Sequence, residues 1–475
     1  MKHLIYIVIA AAALGALAFC DQCGVAGRAL AAADALAPTS PPPDLVIDFL
    51  GASRGFVEPC GCVTGQYGGI ARWATFLNQS RKENPAELAL FAGGVRVGKG
   101  DVNDQQTIAL WKGYTAMGFN VATVSSEDLP DVEAMPAATQ ALLSLANVTK
   151  MNGTAIASPV QYKTVTLRSG AKVVVAVIGL LGVSPYGTPP NPDNSPAELP
   201  WKVSSPAAAL KALVPEVRKK ADIVVVMLSG TRAPARQLAK DIPGIDIMIA
   251  GLEGNVDQVV EYVGPTALVQ NPDRGRFAGH LGITLDKAKR PAGYTLKVVP
   301  MDSRLPDDPE MAQIVQAYRS RLTVPAPDST PLLESFANSQ WAGSFVCASC
   351  HEKEFAQWKL TKHSVAMVAL EKKDGGQPSR RIDCVPCHVV GYGKPGGYVI
   401  DLPRAALRGV GCEDCHGAAA EHVNARQKGV TDTSKLIRVP VKADCVTCHN
   451  RDNSPNFDFR TYMKRITHTL AAPAA

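Results

Sequence analysis

Four short cysteine and histidine motifs lie in the last third of the chain. Each has two cysteines three positions apart and a histidine directly after the second cysteine. They are CASCH at 347–351, CVPCH at 384–388, CEDCH at 412–416 and CVTCH at 445–449. The C-x-x-C-H spacing is typical of covalent haem attachment, in which two thiols add to the porphyrin and the histidine binds the iron. Four copies of the whole pattern predict four c-type haems.

The motifs assign a role to twelve residues. The predicted attachment sites are Cys347, Cys350, Cys384, Cys387, Cys412, Cys415, Cys445 and Cys448. The predicted proximal iron ligands are His351, His388, His416 and His449. Zinc knuckles and disulfides are the alternatives for such cysteine pairs. Zinc favours four ligands that close a tetrahedral site, which leaves the four adjacent histidines unexplained, and disulfides explain none of them.

Three further histidines in this region are the predicted distal iron ligands. They are His363, His422 and His468. His422 stands six residues after His416, a tight span for the same iron, so we expect it to bind a different haem. Seven imidazoles for four irons leave one iron without a second imidazole. Met367 and Met463 are the available substitutes and would raise that haem's potential, but we expect a five-coordinate, high-spin iron.

A second cysteine pair, Cys60 and Cys62, lies in the sequence EPCGCVTGQYGGIAR near the start of the chain. One interpretation is a structural pair, including a disulfide across one residue, which would be strained and easily reduced. The other is a redox-active dithiol or a pair of ligands for a soft metal. The residue types alone leave both interpretations open.

The N-terminus predicts export. Lys2 precedes an apolar run of the size of a secretory h-region, shorter than a stable membrane span, and small-residue cleavage sites follow between Ala31 and Ala37. Residues 1–37 are therefore a predicted signal peptide, with an uncleaved or lipidated anchor (at Cys20) as the alternative. Covalent haem attachment takes place outside the cytoplasm, so both patterns predict a periplasmic protein or one at the extracytoplasmic membrane surface.

The basic charge of the chain lies in the region of the haem motifs. The formal net charge is +6, and residues 335–475 hold 19 Lys and Arg against 13 Asp and Glu, which accounts for all of it. The propionates of four haems would offset this charge. We therefore interpret it as compensation for the cofactor and expect no nucleic-acid partner.

Two regions with different patterns follow the leader. Residues 44–322 alternate continuous apolar runs, such as AKVVVAVIGLLG and ADIVVVMLSG, with amphipathic stretches such as GGIARWATFLNQSRK. Continuous apolar runs are typical of strands buried on both faces of an α/β domain. Residues 323–334 are a predicted proline-rich linker, and residues 335–475 are the predicted tetrahaem domain. With roughly 35 residues per haem, porphyrins must supply much of the buried apolar surface there.

The first region resembles the metallophosphoesterases of the 5′-nucleotidase and UDP-sugar hydrolase type. The resemblance spans nearly all of Leu45 to Asp286, including GFNVATVSSEDLP, IPGIDIMIAGLEGN and GRFAGHLGITLD. It implies a four-layer α-β-β-α sandwich with a two-metal site at the strand ends, where Asp, His and Asn ligands hold two cations and one cation activates water.

The sequence departs from that family at essentially every metal-ligand position. The family's ligands fall on GASRGF, Gly94, Ser126 and Glu127, Gly230, and Leu252 and Gly254. His280 is the only histidine between the leader and the first haem motif, and we interpret it as structural. The region is therefore predicted to be a catalytically inactive phosphoesterase-like domain.

The second region resembles the tetrahaem cytochromes of the cytochrome c-554 type. The similar residues are FVCASCHEKEFAQWKLTKHSVA, CVPCHVVGYGKPGGY, VGCEDCHGAAAEHV and YMKRITH. The resemblance implies a mostly helical, loop-rich fold with closely packed haems, and an open iron at the second haem, on His388. It also implies redox partners in the periplasm or the membrane, including other cytochromes. An electron-transfer protein is thus favoured over the alternative, a multihaem reductase that acts on a small nitrogen or sulfur compound at the open iron.

Overall fold

The computed structural model describes residues 42–60, 66–98, 100–182, 201–252, 259–271, 273–322, 339–400, 404–430, 436, 439–450, 453–454 and 456–468. The predicted leader (1–37) and linker (323–334) lie outside these residues. From Leu45 onward the chain is one compact unit. The division into an α/β domain and a haem domain at the linker therefore stays a prediction.

Two β-sheets form the centre of the first region. Its strands are β1 (Leu45–Leu50), β2 (Pro59–Cys60), β3 (Tyr67–Gly68), β4 (Glu87–Phe91), β5 (Val121–Ala122), β6 (Val148–Lys150), β7 (Gln161–Thr166), β8 (Lys172–Leu181), β9 (Trp201–Val203), β10 (Ile223–Ser229), β11 (Ile247–Ala250), β12 (Glu261–Val263), β13 (Thr266–Gln270), β14 (Phe277–Leu285) and β15 (Pro291–Pro300). One sheet has the order β15-β14-β1-β4-β5, and the other has the order β12-β13-β11-β10-β8-β7. The hairpin β2-β3 and the pair β6-β9 are separate.

The helices of this region are α1 (Ile70–Glu83), α2 (Asp101–Ala116), α3 (Ala137–Gln140), α4 (Pro206–Arg218), α5 (Arg232–Asp241) and α6 (Pro309–Leu322). The amphipathic stretch GGIARWATFLNQSRK, singled out in the sequence, forms α1. The continuous apolar runs form the central strands, and every residue of β1 and β10 is buried. A strand covered on both faces needs apolar side chains at consecutive positions, which is why these runs do not alternate.

Three buried clusters show the order of the layers. Ile47 and Phe49 of one sheet meet Val225 of the other in a cluster between the two sheets. A second cluster lies between the first sheet and the helices α1, α2 and α6, and a third lies between the second sheet and the helices α4 and α5. Helices thus cover the outer face of each sheet. This arrangement confirms the predicted four-layer α-β-β-α sandwich.

The haem-motif region is built differently. Its helices are α7 (Ser344–Cys347), α8 (Glu352–Lys359), α9 (Ala366–Lys372), α10 (Cys412–His416), α11 (Ala420–Gln427), α12 (Lys442–Val446) and α13 (Phe459–Ile466). None of these exceeds eight residues, and long loops connect them. Their buried core is one small cluster that includes Trp341, Val385 and Leu407. The predicted helical, loop-rich fold is confirmed. Across the described residues, no helix has the length and apolar character that a membrane crossing requires.

Candidate haem-binding site

Each attachment motif lies on a tight turn or short helix. The amide of His351 donates to the carbonyl of Cys347 at 2.8 Å, and the amide of His449 donates to the carbonyl of Cys445 at 2.8 Å. Helix α10 consists of the third motif, from Cys412 to His416. Residues four apart lie on the same side of a helical turn. The first cysteine and the histidine of a motif therefore face one side, where they can hold the same planar group.

Two pairs of the predicted iron ligands have rings that lie close to each other. The ring centres of His416 and His468 are 6.3 Å apart, and their planes differ by 22°. The ring centres of His363 and His449 are 5.9 Å apart, with 50° between the planes. Two imidazoles on opposite sides of one metal ion have ring centres roughly 6 Å apart, because each metal–nitrogen bond is about 2 Å long. Both pairs have the separation of a bis-histidine site.

Hydrogen bonds at Nδ1 orient several of these rings. The Nδ1 of His388 donates to the carbonyl of Ala366 at 2.7 Å. The Nδ1 of His449 lies 2.8 Å from Ser454 Oγ, and the Nδ1 of His468 lies 2.9 Å from Gln357 Oε1. When Nδ1 is engaged in this way, Nε2 is left for a metal, and the contact fixes the orientation of the ring. The arrangement is therefore suited to iron ligation through Nε2.

The surroundings of His363, His449 and His468 favour the neutral imidazole. Burial lowers the pKa of His363, and the nearby His449 lowers it further. Burial is also the main cause of the lowered pKa of His468 and of His449. Only the deprotonated ring nitrogen binds a metal, so a lowered pKa removes part of the cost of ligation.

The attachment cysteines also show which motifs are neighbours. All eight lie among the described residues and are thiols rather than disulfides. The neighbouring Cys412 thiol raises the pKa of Cys347, Cys347 lowers the pKa of Cys412, and Cys387 lowers the pKa of Cys448, so the thiols of each pair lie close together. The first motif is thus adjacent to the third, and the second is adjacent to the fourth. Groups held by adjacent motifs would lie close enough to exchange electrons.

The remaining ligand candidates are His351, His422 and His388. His351 lies at the start of α8, and His422 lies on α11. The Nδ1 of His422 is buried and makes no hydrogen bond with any described residue. Met367, which follows Ala366, is buried in the small core beside Val385 of the second motif.

The space and surface of this region fit a large apolar cofactor. A cavity of about 400 Å³ lies between the second and third motifs, lined by residues that include Trp341, Pro386, Val389, Tyr392 and Gly417. Large apolar side chains also remain exposed around the motifs, namely Phe345, Val346, Leu360, Val365, Val430, Val439, Val441 and Val446. Leu360 is 90% exposed. Such surface is unusual in a small folded region unless another group covers it.

Sequence patterns did not predict the role of Glu413, between the two cysteines of the third motif. Glu413 is 3% exposed. Its carboxylate accepts hydrogen bonds from the amides of Ala342, Gly343 and Ala419 at 2.7–2.9 Å. It therefore ties the third motif to the segment that leads into the first motif. A charged residue in a variable motif position gives no sequence signal of burial, because such residues are mostly exposed.

At the strand ends of the α/β region, internal hydrogen bonds stabilise the loops. Asp128, next to Glu127, is fully buried, and it accepts hydrogen bonds from the amides of Gly94, Val95 and Arg96 at 2.7–3.0 Å. Ser125 also donates to it through its amide and its hydroxyl. Within the part of the chain that the structure describes, no three His, Cys, Asp or Glu side chains come together as a metal site. Gly254 lies outside the described residues.

His280 and the pair Cys60 and Cys62 are the other residues of the α/β region that the sequence singled out. The Nδ1 of His280, on β14, lies 2.7 Å from Oδ1 of the buried Asp48, and Ser80 Oγ donates to Asp48 Oδ2 at 2.5 Å. His280 thus has a partner in the sheet, in line with a structural role. Cys60 forms backbone pairing with Tyr67 in the β2-β3 hairpin, and Cys62 lies outside the described residues.

Comparison with known proteins supports the cytochrome interpretation. Residues 346–417 match the family described as cytochrome c554 and c-prime. Cytochrome c-554 of Nitrosomonas europaea is 41% identical over an alignment of 93 residues, and the match covers 17% of this chain. This chain spans only 40% of the length of that relative. The structure of reduced cytochrome c554 from the same organism is 34% identical, over 23% of this chain and 64% of that one, with a TM-score of 0.19. The sequence match to this family includes the first three attachment motifs and implies covalently bound c-type haem.

The α/β region has relatives among solved structures. The sulfate thiohydrolase SoxB of Thermus thermophilus, in complex with glycerol, is similar with a TM-score of 0.52 and 15% identity, over 61% of this chain and 63% of that one. At this identity the likeness shows the fold alone. The chain thus combines a metallophosphoesterase-like α/β fold with a cytochrome c554-type segment at residues 346–417.

Proposed function

We propose that the chain is an exported electron-transfer protein with four covalently bound haems c. The eight motif cysteines would hold the haems, and His351, His388, His416 and His449 would be the proximal ligands. The observation that carries the proposal is the separation of about 6 Å between the rings of His416 and His468 and between those of His363 and His449. When bound, haem c supplies a one-electron couple whose potential depends on its axial ligands. The adjacent motifs would then allow transfer between neighbouring centres.

The ring geometry suggests how the distal ligands are distributed. His468 would serve the iron of His416, and His363 would serve the iron of His449. His422, with its unbonded buried Nδ1, would serve the iron of His351. Under this assignment His388 has no second imidazole, in agreement with the count of seven histidines for four irons.

The same count favours a second candidate function, a reductase for a small nitrogen or sulfur compound. An iron with one protein ligand has an open position at which a small molecule could bind. Turnover of nitrite, hydroxylamine or tetrathionate with a reduced dye would support the reductase. Rapid electron exchange with a second cytochrome, without such turnover, would support electron transfer. Both outcomes can be measured on the same preparation.

For the α/β region we propose a docking or positioning role without hydrolysis. Support comes from the residues at the family's ligand positions, such as Gly94 and Gly230, which have no metal-binding side chain. For the location we propose the periplasm or the extracytoplasmic membrane surface, supported by the N-terminal pattern of residues 1–37. Redox proteins of the periplasm or membrane, including other cytochromes, would be the partners, and membrane association would occur through the N-terminus.

A further inference from the structure

The contacts between the α/β region and the segment before the second haem motif include a group of charges, here called the Glu58 cluster. It consists of Glu58, Arg319, Arg381 and Asp383. Glu58 Oε1 accepts a hydrogen bond from Arg319 Nε at 2.6 Å, and Glu58 Oε2 accepts one from Arg381 Nη1 at 2.6 Å. Arg381 also donates to both carboxylate oxygens of Asp383, at 2.9 and 2.6 Å. Glu58 thus links α6 to Arg381, which lies 323 positions after Glu58 in the sequence.

The cluster is held firmly in place. Arg381 is only 8% exposed, and its guanidinium lies 5.6 Å from the ring centre of Tyr318 on α6. The next amide, that of Ile382, donates to the carbonyl of Leu322 at the end of α6. A buried arginine that uses its flat fork on two carboxylates and stacks on an aromatic ring has little freedom to move.

The cluster also touches an attachment residue. Asp383 immediately precedes Cys384, and the Cys384 Sγ lies 3.7 Å from Asp383 Oδ1. Charges this close to a haem change its reduction potential, because solvent screens them only weakly in partly buried surroundings. A negative charge disfavours the added electron, and a positive charge favours it.

We propose that the Glu58 cluster positions the second haem and sets its potential, so that the α/β region is part of the environment of one particular haem. This inference rests on the proposed four-haem function. Arg381 and Glu58 act as positioning residues: they orient the segment of Cys384 and place one positive and one negative charge beside it. The α/β region thereby has a role in electron transfer that needs no catalysis of its own.

The test is a redox titration of the intact holoprotein followed by EPR, which resolves the high-spin and low-spin haems. Glu58→Gln removes a negative charge and should favour the ferrous form of the second haem about tenfold, equivalent to a rise of about 59 mV. Arg381→Gln removes a positive charge and should shift the same haem in the opposite direction. The other three potentials should stay constant. The double substitution removes one negative and one positive charge, so it should shift this potential less than either single substitution does.

A matched control is available within the α/β region. Glu261 accepts hydrogen bonds from Arg232 and Arg236, as Glu58 does from Arg319 and Arg381, and its side chain is 26% exposed against 17% for Glu58. Glu261→Gln should change no haem potential. The proposal is overturned if Glu58→Gln leaves all four potentials unchanged. It is also overturned if both single variants shift the potential of every haem in the same direction, because that result indicates a general loss of packing in the haem region. Loss of the proposed function itself would appear separately, as a haem content other than four in the wild-type protein.

Discussion

At the scale of single residues, the geometry of the histidine rings leads to the sharpest expectations. The His416 and His468 rings are nearly parallel, and Gln357 holds the Nδ1 of His468. Side chains in this arrangement can ligate one iron from both sides and keep it low-spin.

Replacing His468 tests this assignment. His468→Ala should convert one low-spin haem to a high-spin one, because no second imidazole is then within reach of the iron on His416. EPR of the oxidised protein measures the change. Met463→Leu, on helix α13, is the matched control and should leave the spectrum unaltered. An unchanged low-spin signal in His468→Ala, or an altered spectrum in Met463→Leu, would show that the ligands are assigned wrongly.

A second residue, Glu87, should make stability depend on pH. Burial raises its pKa from 4.5 to about 7, although the charge of Arg81 partly offsets the shift. Between these two pH values the unfolded state binds fewer protons than the folded state, so stability falls as pH rises through this range and is then constant. Glu87→Gln should reduce this pH-dependent fall in the free energy of unfolding by about 1–3 kcal/mol. Urea unfolding at about pH 5 and about pH 8 measures it.

The exposed Glu216, which pairs with Lys219 at the surface, provides the control for that experiment. Glu216→Gln should retain the wild-type pH dependence. If the stability of Glu87→Gln depends on pH as that of the wild type does, the raised pKa of Glu87 is not the cause of the dependence.

Individual residues differ in how far their roles could be predicted from sequence. The attachment motifs are local, since one haem requires two thiols and an imidazole within five consecutive positions. His468, the proposed partner of His416, lies 52 positions after it, and nothing in the local sequence of His468 marks it as that partner. The burial of Glu413 and the contact between Glu58 and Arg381 likewise depend on tertiary packing, so sequence patterns did not predict them.

At the scale of elements, the haem-motif helices are too short to be stable alone. They have at most eight residues, whereas isolated helices need about 12–15 residues even in favourable sequences. Their own core is a single small cluster. We therefore expect bound haem, by covering the exposed apolar side chains, to supply much of their stability.

Protein made without haem attachment should show this dependence directly. Proteolysis should degrade residues 339–468 and leave the α/β region as a stable fragment, while the holoprotein should resist cleavage in both regions. Mass spectrometry of the fragments identifies the cleavage sites. Equal protection of residues 339–468 with and without haem would show that the polypeptide alone stabilises this region.

Sequence patterns predicted the long elements better than the short ones. The apolar runs of β8 and β10 and the amphipathic stretch of α6 are strong local signals. The short apolar run NVATVSS, in contrast, forms only the two-residue strand β5. The strand ends there because Ser125, in the loop that follows, donates hydrogen bonds from its amide and its hydroxyl to Asp128. Competition between a strand and such side-chain hydrogen bonds is decided by packing.

At the scale of the whole molecule, a four-layer α/β fold is joined to a region with four haem-attachment motifs. The α/β region should hydrolyse no phosphate ester, even with added Mn²⁺, Co²⁺ or Zn²⁺, because the described residues at its strand ends include no group of side chains that could hold two cations. A chromogenic phosphodiester assay with each metal measures this. Metal-dependent turnover that is lost on substitution at Ser126 or Glu127 would contradict the assignment as inactive.

The central claim is that one chain binds four haems covalently, and the intact mass tests it most directly. Protein produced in a host that matures c-type cytochromes should have the mass of the processed polypeptide plus four haems. Replacing Cys412 and Cys415 with alanine should reduce the number of attached haems to three. A wild-type mass without haem, or with bound zinc in its place, would contradict the account.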